Sequence, residues 1–211
     1  MSREYEGGVP ALVDIDLDIH AGEYLALMGA SGSGKTTLLN LLGLIDKPTG
    51  GSLFLDGQDT VDWPDRRRAQ RRAEMISFIF QAFHLFDDRT VSENIEIGLI
   101  HQRIPVRDRR SRVTTAISAV GLDDRVNALA RTLSGGEQQR TSIARAIARR
   151  PKVLLCDEPV GNLDRDNAER VLDAIDAIHD SNVTVIMVTH DPMTAERSER
   201  IVQLSNGRIE Q

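Results

Sequence analysis

The sequence has little cysteine and no long hydrophobic run, and each shortage excludes a class of protein. The single cysteine, Cys156, cannot form an internal disulfide, which excludes a secreted disulfide scaffold and favours a cytosolic setting. No apolar stretch approaches the roughly 18 residues of a membrane span, and residues 1–10 lack the apolar core of a signal peptide. We therefore expect a chain that does not cross a bilayer by itself.

The chain also has fewer positively charged than negatively charged residues. The chain has 26 Lys and Arg residues against 32 Asp and Glu residues, for a formal net charge of −6. Because a sequence-independent nucleic-acid binder carries a basic surface, we expect no nucleic-acid partner. Arginines do cluster at 66–68, 71–72 and 103–112, but the interspersed aspartates favour solvated helix faces over nucleic-acid or lipid-headgroup patches.

What the sequence does have is the composition of an ordinary globular protein. It contains 211 residues, of which 40% are hydrophobic and 27% are charged, so it can bury a core without disulfides or metals. This length predicts one compact domain that spans residues 1–211.

The strongest motif is rich in glycine and lies between a predicted strand and a predicted helix. The apolar run at residues 24–28 is typical of a strand buried on both faces. GASGSGKT at residues 29–36 then fits G-x-x-x-x-G-K-[ST] at every position, and a helical pattern follows that ends at Gly43. This order indicates a phosphate-binding P-loop and disfavours a glycine-rich turn without a ligand.

Each part of this loop predicts a contact with a nucleotide. The glycines let backbone N–H groups approach phosphate oxygens, and the helix N-terminus adds partial positive charge. Lys35 is expected to reach the terminal phosphates, and Thr36 to offer its hydroxyl to Mg²⁺. The predicted nucleotide-binding residues of the loop are Gly29, Ala30, Ser31, Gly32, Ser33, Gly34, Lys35, Thr36 and Thr37.

A second apolar run, residues 153–156, leads into two adjacent acidic residues. Asp157 is placed to hold Mg²⁺, and Glu158 to orient or deprotonate an attacking water. An acidic pair after a strand is often only part of a solvated loop. The P-loop upstream favours the catalytic interpretation.

Between these motifs, LSGGEQQR at residues 133–140 opens a helical pattern that Pro151 stops. Its serine and paired glycines offer a hydroxyl and free backbone N–H groups at the positive end of a helix. The segment is therefore a second candidate anion site, and it is also a helix N-cap.

The remaining patterns indicate an α/β fold. Apolar residues alternate with aspartates over residues 13–19, which predicts a half-buried strand; a calcium loop is disfavoured because Ile19 stands where that loop needs glycine. Residues 82–150 read as mostly helical. Elsewhere strands alternate with helices, which indicates a parallel core sheet that ends in a hairpin over residues 201–209.

Together these motifs resemble the nucleotide-binding subunit of an ATP-binding cassette (ABC) transporter. The P-loop at 29–36, LSGGEQQR at 133–140, VLLCDE at 153–158 and VTHD at 188–191 occur in that family's order and spacing. The words DKPT at 46–49 and DEP at 157–159 followed by GNLD at 161–164 resemble its LolD/MacB/FtsE branch.

The resemblance implies a P-loop NTPase fold with a RecA-like parallel core sheet, an antiparallel β subdomain and an inserted helical subdomain. Residues 1–81 and 151–211 would form the core with its β subdomain, and residues 82–150 the helical subdomain. The implied activity is ATP hydrolysis, with ATP and Mg²⁺ as nucleotide and metal.

Further site residues follow from the resemblance alone. Gln81 would contact Mg²⁺ and the attacking water, and His190 the γ-phosphate, so that Glu158, His190, Gln81 and Lys35 form the expected catalytic set. An exposed glutamine at a helix boundary is the alternative for Gln81. Tyr5 would stack on adenine, although a tyrosine near a terminus is otherwise often a surface residue.

The resemblance also implies a homodimer with shared sites. Ser134, Gly135 and Gly136 would complete the ATP site of a second copy, so that each nucleotide is sandwiched between two chains. Asp164 is a further expected nucleotide-binding residue. The implied partner is an integral membrane permease, which places the chain in the cytoplasm on the inner face of the membrane. Export or lipoprotein release is the expected function, and FtsE-like control of cell-wall remodelling without transport is the alternative.

Overall fold

The computed structural model describes residues 1–5 and 7–210. The strands are β1 (Arg3–Tyr5), β2 (Val9–Leu12), β3 (Tyr24–Met28), β4 (Phe54–Leu55), β5 (Gln58–Asp59), β6 (Ile76–Phe80), β7 (Val153–Asp157), β8 (Thr184–Val188), β9 (Arg200–Ser205) and β10 (Arg208–Ile209). The α-helices are α1 (Lys35–Leu42), α2 (Asp65–Met75), α3 (Val91–His101), α4 (Val106–Ala119), α5 (Gly135–Ala148), α6 (Arg165–His179) and α7 (Pro192–Ala195).

A six-stranded sheet with the order β10-β9-β3-β8-β7-β6 forms the centre of the molecule. Strands β9, β3, β8, β7 and β6 pair in parallel, and β10 joins β9 as the antiparallel hairpin that the sequence predicts. Two small antiparallel sheets, β1-β2 and β4-β5, lie apart from it. The α/β fold class with a parallel core and antiparallel β elements is therefore confirmed.

The sheet lies between two apolar cores because successive side chains of a strand point to opposite faces. In β7, Leu154 and Cys156 pack into the core beneath α3–α6, whereas Leu155 packs into the core that contains α1. All three are fully buried, as expected of a parallel sheet that is covered on both faces.

The strand predicted over residues 13–19 is wrong. The regular ladder ends at Leu12, the backbone of Asp14 is left-handed with φ 52°, and the amide of Ile15 donates to the carbonyl of Met1. Ile15 is nevertheless buried and its flanking aspartates are exposed. The alternating pattern thus reports which side chains face the core, but not whether the backbone has a neighbouring strand.

The arginine cluster of α2 is only partly a solvated face, so that expectation is also wrong in part. Arg68 is 7% exposed, and its guanidinium donates to the carbonyls of Leu44 and Asp46 at 3.1 and 2.7 Å. Arg72 donates to the same Leu44 carbonyl at 2.7 Å. These carbonyls follow α1, and buried carbonyls need donors that the turn itself does not supply.

Residues 82–150 hold α3, α4 and α5, which pack on one another as the helical pattern predicts. The division of the chain into a core and a helical subdomain at residues 81 and 151 stays a prediction. Within the described ranges, 1–5 and 7–210, no helix is both long and apolar enough to cross a membrane.

Candidate functional site

The predicted P-loop connects the end of β3 to the start of α1. Gly34 has φ 105°, and a Cβ atom there would lie 2.6 Å from the carbonyl oxygen of Ala11, so only glycine fits. Among the described residues, no side chain caps α1 and no acidic residue occupies its first turn. The N–H groups of this helix end are therefore available to an anion, and the helix dipole favours one.

The side chain of Lys35 is held in place by backbone carbonyls of the loop. Its side-chain Nζ donates to the carbonyl oxygens of Gly29 and Ala30, both at 2.8 Å, and the residue is 8% exposed. These bonds order the long side chain, and they place its ammonium group against the loop that the motif assigns to phosphate.

The loop forms one wall of a cavity of about 590 Å³. The residues that line this cavity are Ala11, Ser31, Gly32, Gly34, Lys35, Thr36, Thr37, Asp157, Glu158, Val188 and His190. The lining thus combines a cation and free N–H groups with two carboxylates. This combination suits an anion that arrives with its own divalent cation, and the volume is in the range of sites for nucleotide-sized ligands.

Asp157 ends β7 at the floor of this cavity. Burial raises the pKa of its carboxyl group, and the neighbouring Glu158 raises it further, whereas Lys35 and a hydrogen bond from Thr36 lower it. A carboxylate that is buried beside a second carboxylate gains from a nearby cation. In its described part, the structure forms no group of three or more His, Cys, Asp or Glu side chains that is arranged to hold a metal ion. One carboxylate and one hydroxyl match Mg²⁺, which usually completes its coordination with water and substrate phosphates.

Glu158 occupies the turn that follows β7, and its backbone is left-handed with φ 46°. A non-glycine residue in this region carries a conformational cost of roughly 1–3 kcal/mol, and such residues concentrate at functional sites. Its Oε2 atom lies 2.8 Å from Nδ1 of His190, which follows β8. The adjacent parallel strands β7 and β8 therefore bring the two predicted catalytic side chains into contact.

Gln81 follows β6 and lies beside the Glu158 turn, although it does not line the cavity formed by the described residues. Its Nε2 atom donates to Oδ1 of Asn162 at 3.2 Å. A Cβ atom on Gly161 would lie 3.2 Å from that Nε2 atom and 3.4 Å from Oε2 of Glu158. The structure thus gathers Gln81, Glu158 and His190 at one end of the sheet.

Tyr5 lies next to the P-loop rather than inside the cavity. It ends β1, its hydroxyl lies 3.4 Å from Oγ1 of Thr37, and the guanidinium of Arg3 stacks over its ring at 4.7 Å. Tyr5 is 42% exposed, so part of its surface is open to a ligand or to solvent.

The last four predicted nucleotide-binding residues lie elsewhere in the fold: Ser134, Gly135 and Gly136, which are expected to serve a second copy, and Asp164. Ser134 caps α5, and Glu137 bonds back to it in a capping box; Asp164 caps α6 by accepting from the amide of Asn167 at 3.0 Å. Helix capping alone is enough to explain why a serine stands at position 134 and an aspartate at position 164. Of the described residues, Ser134, Gly135, Gly136 and Asp164 are outside the set that lines the cavity.

Sequence reasoning missed several residues that shape this region. Ala11 and Val188 line the cavity, and Asn162 bonds to Gln81 through its side chain in both directions. Asn162 lies inside the GNLD word, which could have drawn attention to it. Ala11 has no comparable signal, because its position depends on where β2 packs.

The family and the individual proteins that this chain resembles agree with one another. The family described as ABC transporter matches residues 12–161. The "Uncharacterized ABC transporter ATP-binding protein YvrO" of Bacillus subtilis is 42% identical, over 99% of this chain and 93% of that protein. The "Macrolide export ATP-binding/permease protein MacB" of Salmonella typhimurium is 43% identical over 99% of this chain. This chain spans only 33% of that MacB protein.

Solved structures show the same architecture. A dimeric structure of the ATP-binding cassette MJ0796, in a post-hydrolysis state bound to ADP and Pi, has a TM-score of 0.90 and 36% identity, and covers 100% of this chain and 94% of its own. CbiO1 of Clostridium perfringens, part of the transporter complex cbiONQ, has a TM-score of 0.89 and 27% identity, and covers 100% of this chain and 84% of its own.

Proposed function

We propose, since this chain belongs to the ABC transporter family and hydrolyses ATP, that the cavity around residues 29–36 is its ATP site. Two copies of the chain would share their ATP sites and drive a separate membrane permease. The observation that carries this proposal is that the cavity lining combines positive and negative groups. Lys35 and the α1 N-terminus line the cavity together with Asp157 and Glu158. A nucleotide triphosphate with Mg²⁺ is complementary to both kinds of group.

The chain's own residues would act mainly by position and charge. Lys35 and the loop N–H groups hold the phosphates, and Thr36, Asp157 and Gln81 would hold Mg²⁺. When bound, Mg²⁺ neutralises phosphate charge. Glu158 accepts the proton of the attacking water.

One contact and the positions of two further residues support these roles. His190 contacts Glu158 at 2.8 Å and so fixes the orientation of the carboxylate that takes the proton. Gln81 lies beside the same turn, where its amide can align the water. Tyr5, at the edge of the loop, would stack on adenine with its exposed surface.

The glycines at the start of α5 support a shared site. A Cβ atom on Gly136 would lie 2.2 Å from Oδ1 of Asn167, so packing within the chain requires glycine there. The nearest described side chain to a Cβ atom on Gly135 would be that of Leu163, at 3.7 Å, so packing among the described residues does not require glycine at this exposed position. A nucleotide held by a second copy, which approaches the helix N-terminus closely, does require it. Ser134, Gly135 and Gly136 would then complete that site, and Asp164 stays a further predicted nucleotide-binding residue.

The two glycines provide a matched test of this explanation. Gly136→Ala is expected to lower the free energy of unfolding by about 2 kcal/mol, because the added methyl group overlaps Asn167. Gly135→Ala is expected to leave the nucleotide-free melting temperature unchanged or slightly raised, yet to lower ATP hydrolysis about tenfold by displacing the second copy. Thermal unfolding and steady-state hydrolysis measure both. A Gly135→Ala chain that hydrolyses ATP at the wild-type rate would remove this support for a shared site.

The permease partner is proposed from the relatives. The MacB proteins are described as combined ATP-binding and permease proteins for macrolide export, and this chain matches about a third of their length. We therefore place the chain on the inner face of the membrane, bound to a permease for export or lipoprotein release. Co-purification of an integral membrane protein with the full chain tests this placement, and its absence under conditions that preserve the chain would contradict it.

A further inference from the structure

Helix α5 contacts both loops that carry the proposed hydrolytic residues, and it does so through one buried side chain. Gln139 is 0% exposed, and its Nε2 atom donates to the carbonyl oxygen of Phe80 at 3.2 Å and to that of Pro159 at 2.6 Å. Phe80 directly precedes Gln81, and Pro159 directly follows Glu158. We infer that Gln139 is a positioning residue that sets the places of Gln81 and Glu158 relative to α5; this inference rests on the roles proposed above for those two residues.

The same helix holds the chain on the other side of Gln81 as well. The guanidinium of Arg145 donates to the carbonyl oxygens of His84 at 2.6 Å and Phe83 at 3.0 Å. Burial lowers the pKa of Arg145, and the nearby Arg149 lowers it further, so this group is held at a cost in desolvation. Gln139 and Arg145 thus fix backbone carbonyls before and after Gln81, and the irregular segment 81–84 is attached to α5 at both ends.

The choice of glutamine at position 139 needs an explanation. Its Oε1 atom is buried and has no hydrogen-bond partner among the described residues. A buried polar atom without a partner costs free energy, and an apolar side chain of similar size would avoid that cost. The two N–H···O bonds to Phe80 and Pro159 are what an apolar side chain could not supply, so they account for the glutamine.

These contacts connect α5 to the residues that are proposed to carry out hydrolysis at one end of the cavity. Ser134 caps the helix, and Gln139 lies just over one helical turn further along it. A shift of the helix start, where a second copy's nucleotide would bind, is therefore transmitted through Gln139 to Gln81 and Glu158. The Asn162 side chain accepts from the side-chain amide of Gln81 and donates to its backbone carbonyl, so the two loops are connected directly and should move together.

The test is Gln139→Met in the full-length chain, which removes both donors at nearly constant volume. We expect kcat for ATP hydrolysis to fall about 10- to 100-fold, because the reacting groups lose their alignment. The Kd for ATP, measured with a fluorescent analogue, should stay within about twofold, because the P-loop is untouched. Thr141→Val is the matched control. Thr141 is equally buried on the same helix, but its hydroxyl donates to the carbonyl of Glu137 in that helix and to no other described residue, so both values should stay near wild type.

A double-mutant cycle with Gln81→Ala separates positioning from general destabilisation. If Gln139 acts by placing Gln81, the effect of Gln139→Met on kcat should shrink at least threefold in the Gln81→Ala background, since coupled residues are not additive. Wild-type kcat in Gln139→Met, a parallel loss of affinity and kcat, or full additivity would overturn the inference. Wild-type kcat in Gln81→Ala would instead refute the role proposed for Gln81. Should Gln139→Met fail to fold, Gln139→Asn replaces it, because the shorter amide cannot reach both carbonyls. We expect this variant to lower kcat without changing the Kd for ATP, and the same outcomes would overturn the inference.

Discussion

Replacing Glu158 by glutamine is expected to lower kcat for ATP hydrolysis about 1,000-fold, the contribution typical of a general base. The amide cannot accept the proton of the attacking water, but the phosphate cradle and Lys35 remain intact. ATP affinity should therefore be preserved, and bound ATP should hold two copies together. Steady-state hydrolysis gives the rate, and size-exclusion chromatography with Mg-ATP gives the oligomeric state.

The control for this variant is Glu196→Gln, which removes the same charge at an exposed position beyond α7. It should hydrolyse ATP at the wild-type rate. A Glu158→Gln chain that stays monomeric with Mg-ATP and also hydrolyses it at the wild-type rate would mean that Glu158 is not the base.

Replacing Lys35 by alanine is expected to weaken ATP binding about 100-fold. Lys35 is 8% exposed and its ammonium group lies at the loop carbonyls, and truncation of one partner of such a buried charge contact typically costs about 2–5 kcal/mol. Loss of hydrolysis should follow from loss of binding. Equilibrium titration with a fluorescent ATP analogue measures the affinity directly.

Lys152→Ala is the matched control, because Lys152 is well exposed and contacts only Asp56 at 3.8 Å among its described ion-pair partners. It should bind the analogue as the wild type does. Unchanged affinity in Lys35→Ala would mean that the phosphates bind elsewhere on the chain.

Elements defined by local pattern could be predicted from the sequence, and elements defined by tertiary partners could not. The apolar run of β3 and the glycine that ends α1 were both predicted within a residue, because burial on both faces and helix termination are local properties. The strand expected over residues 13–19 was wrong, since a ladder needs a neighbouring strand that the pattern does not reveal. Arg68 was expected in solvent, yet it bonds to carbonyls 22 and 24 positions away in the chain.

The candidate site divides in the same way. The two motifs that supply Lys35, Asp157 and Glu158 do line one cavity, because each follows a parallel strand at the same edge of the sheet. The anchoring role of Gln139 could not be predicted, because it depends on two backbone carbonyls that are contributed by separate loops. Sequence motifs thus gave the groups that would touch the nucleotide, whereas the structure gave the groups that hold them.

The shared ATP site is the central claim, and a cross-link between Ser31→Cys and Ser134→Cys in a Glu158→Gln chain tests it most directly. Both serines are exposed, whereas Cys156 is fully buried and its burial raises the pKa of the thiol far above its usual range, so it stays unreactive. We predict a covalent dimer that forms with Mg-ATP and is largely lost without it. Cross-linking within single chains, or a dimer yield that is the same with and without ATP, would contradict the shared site.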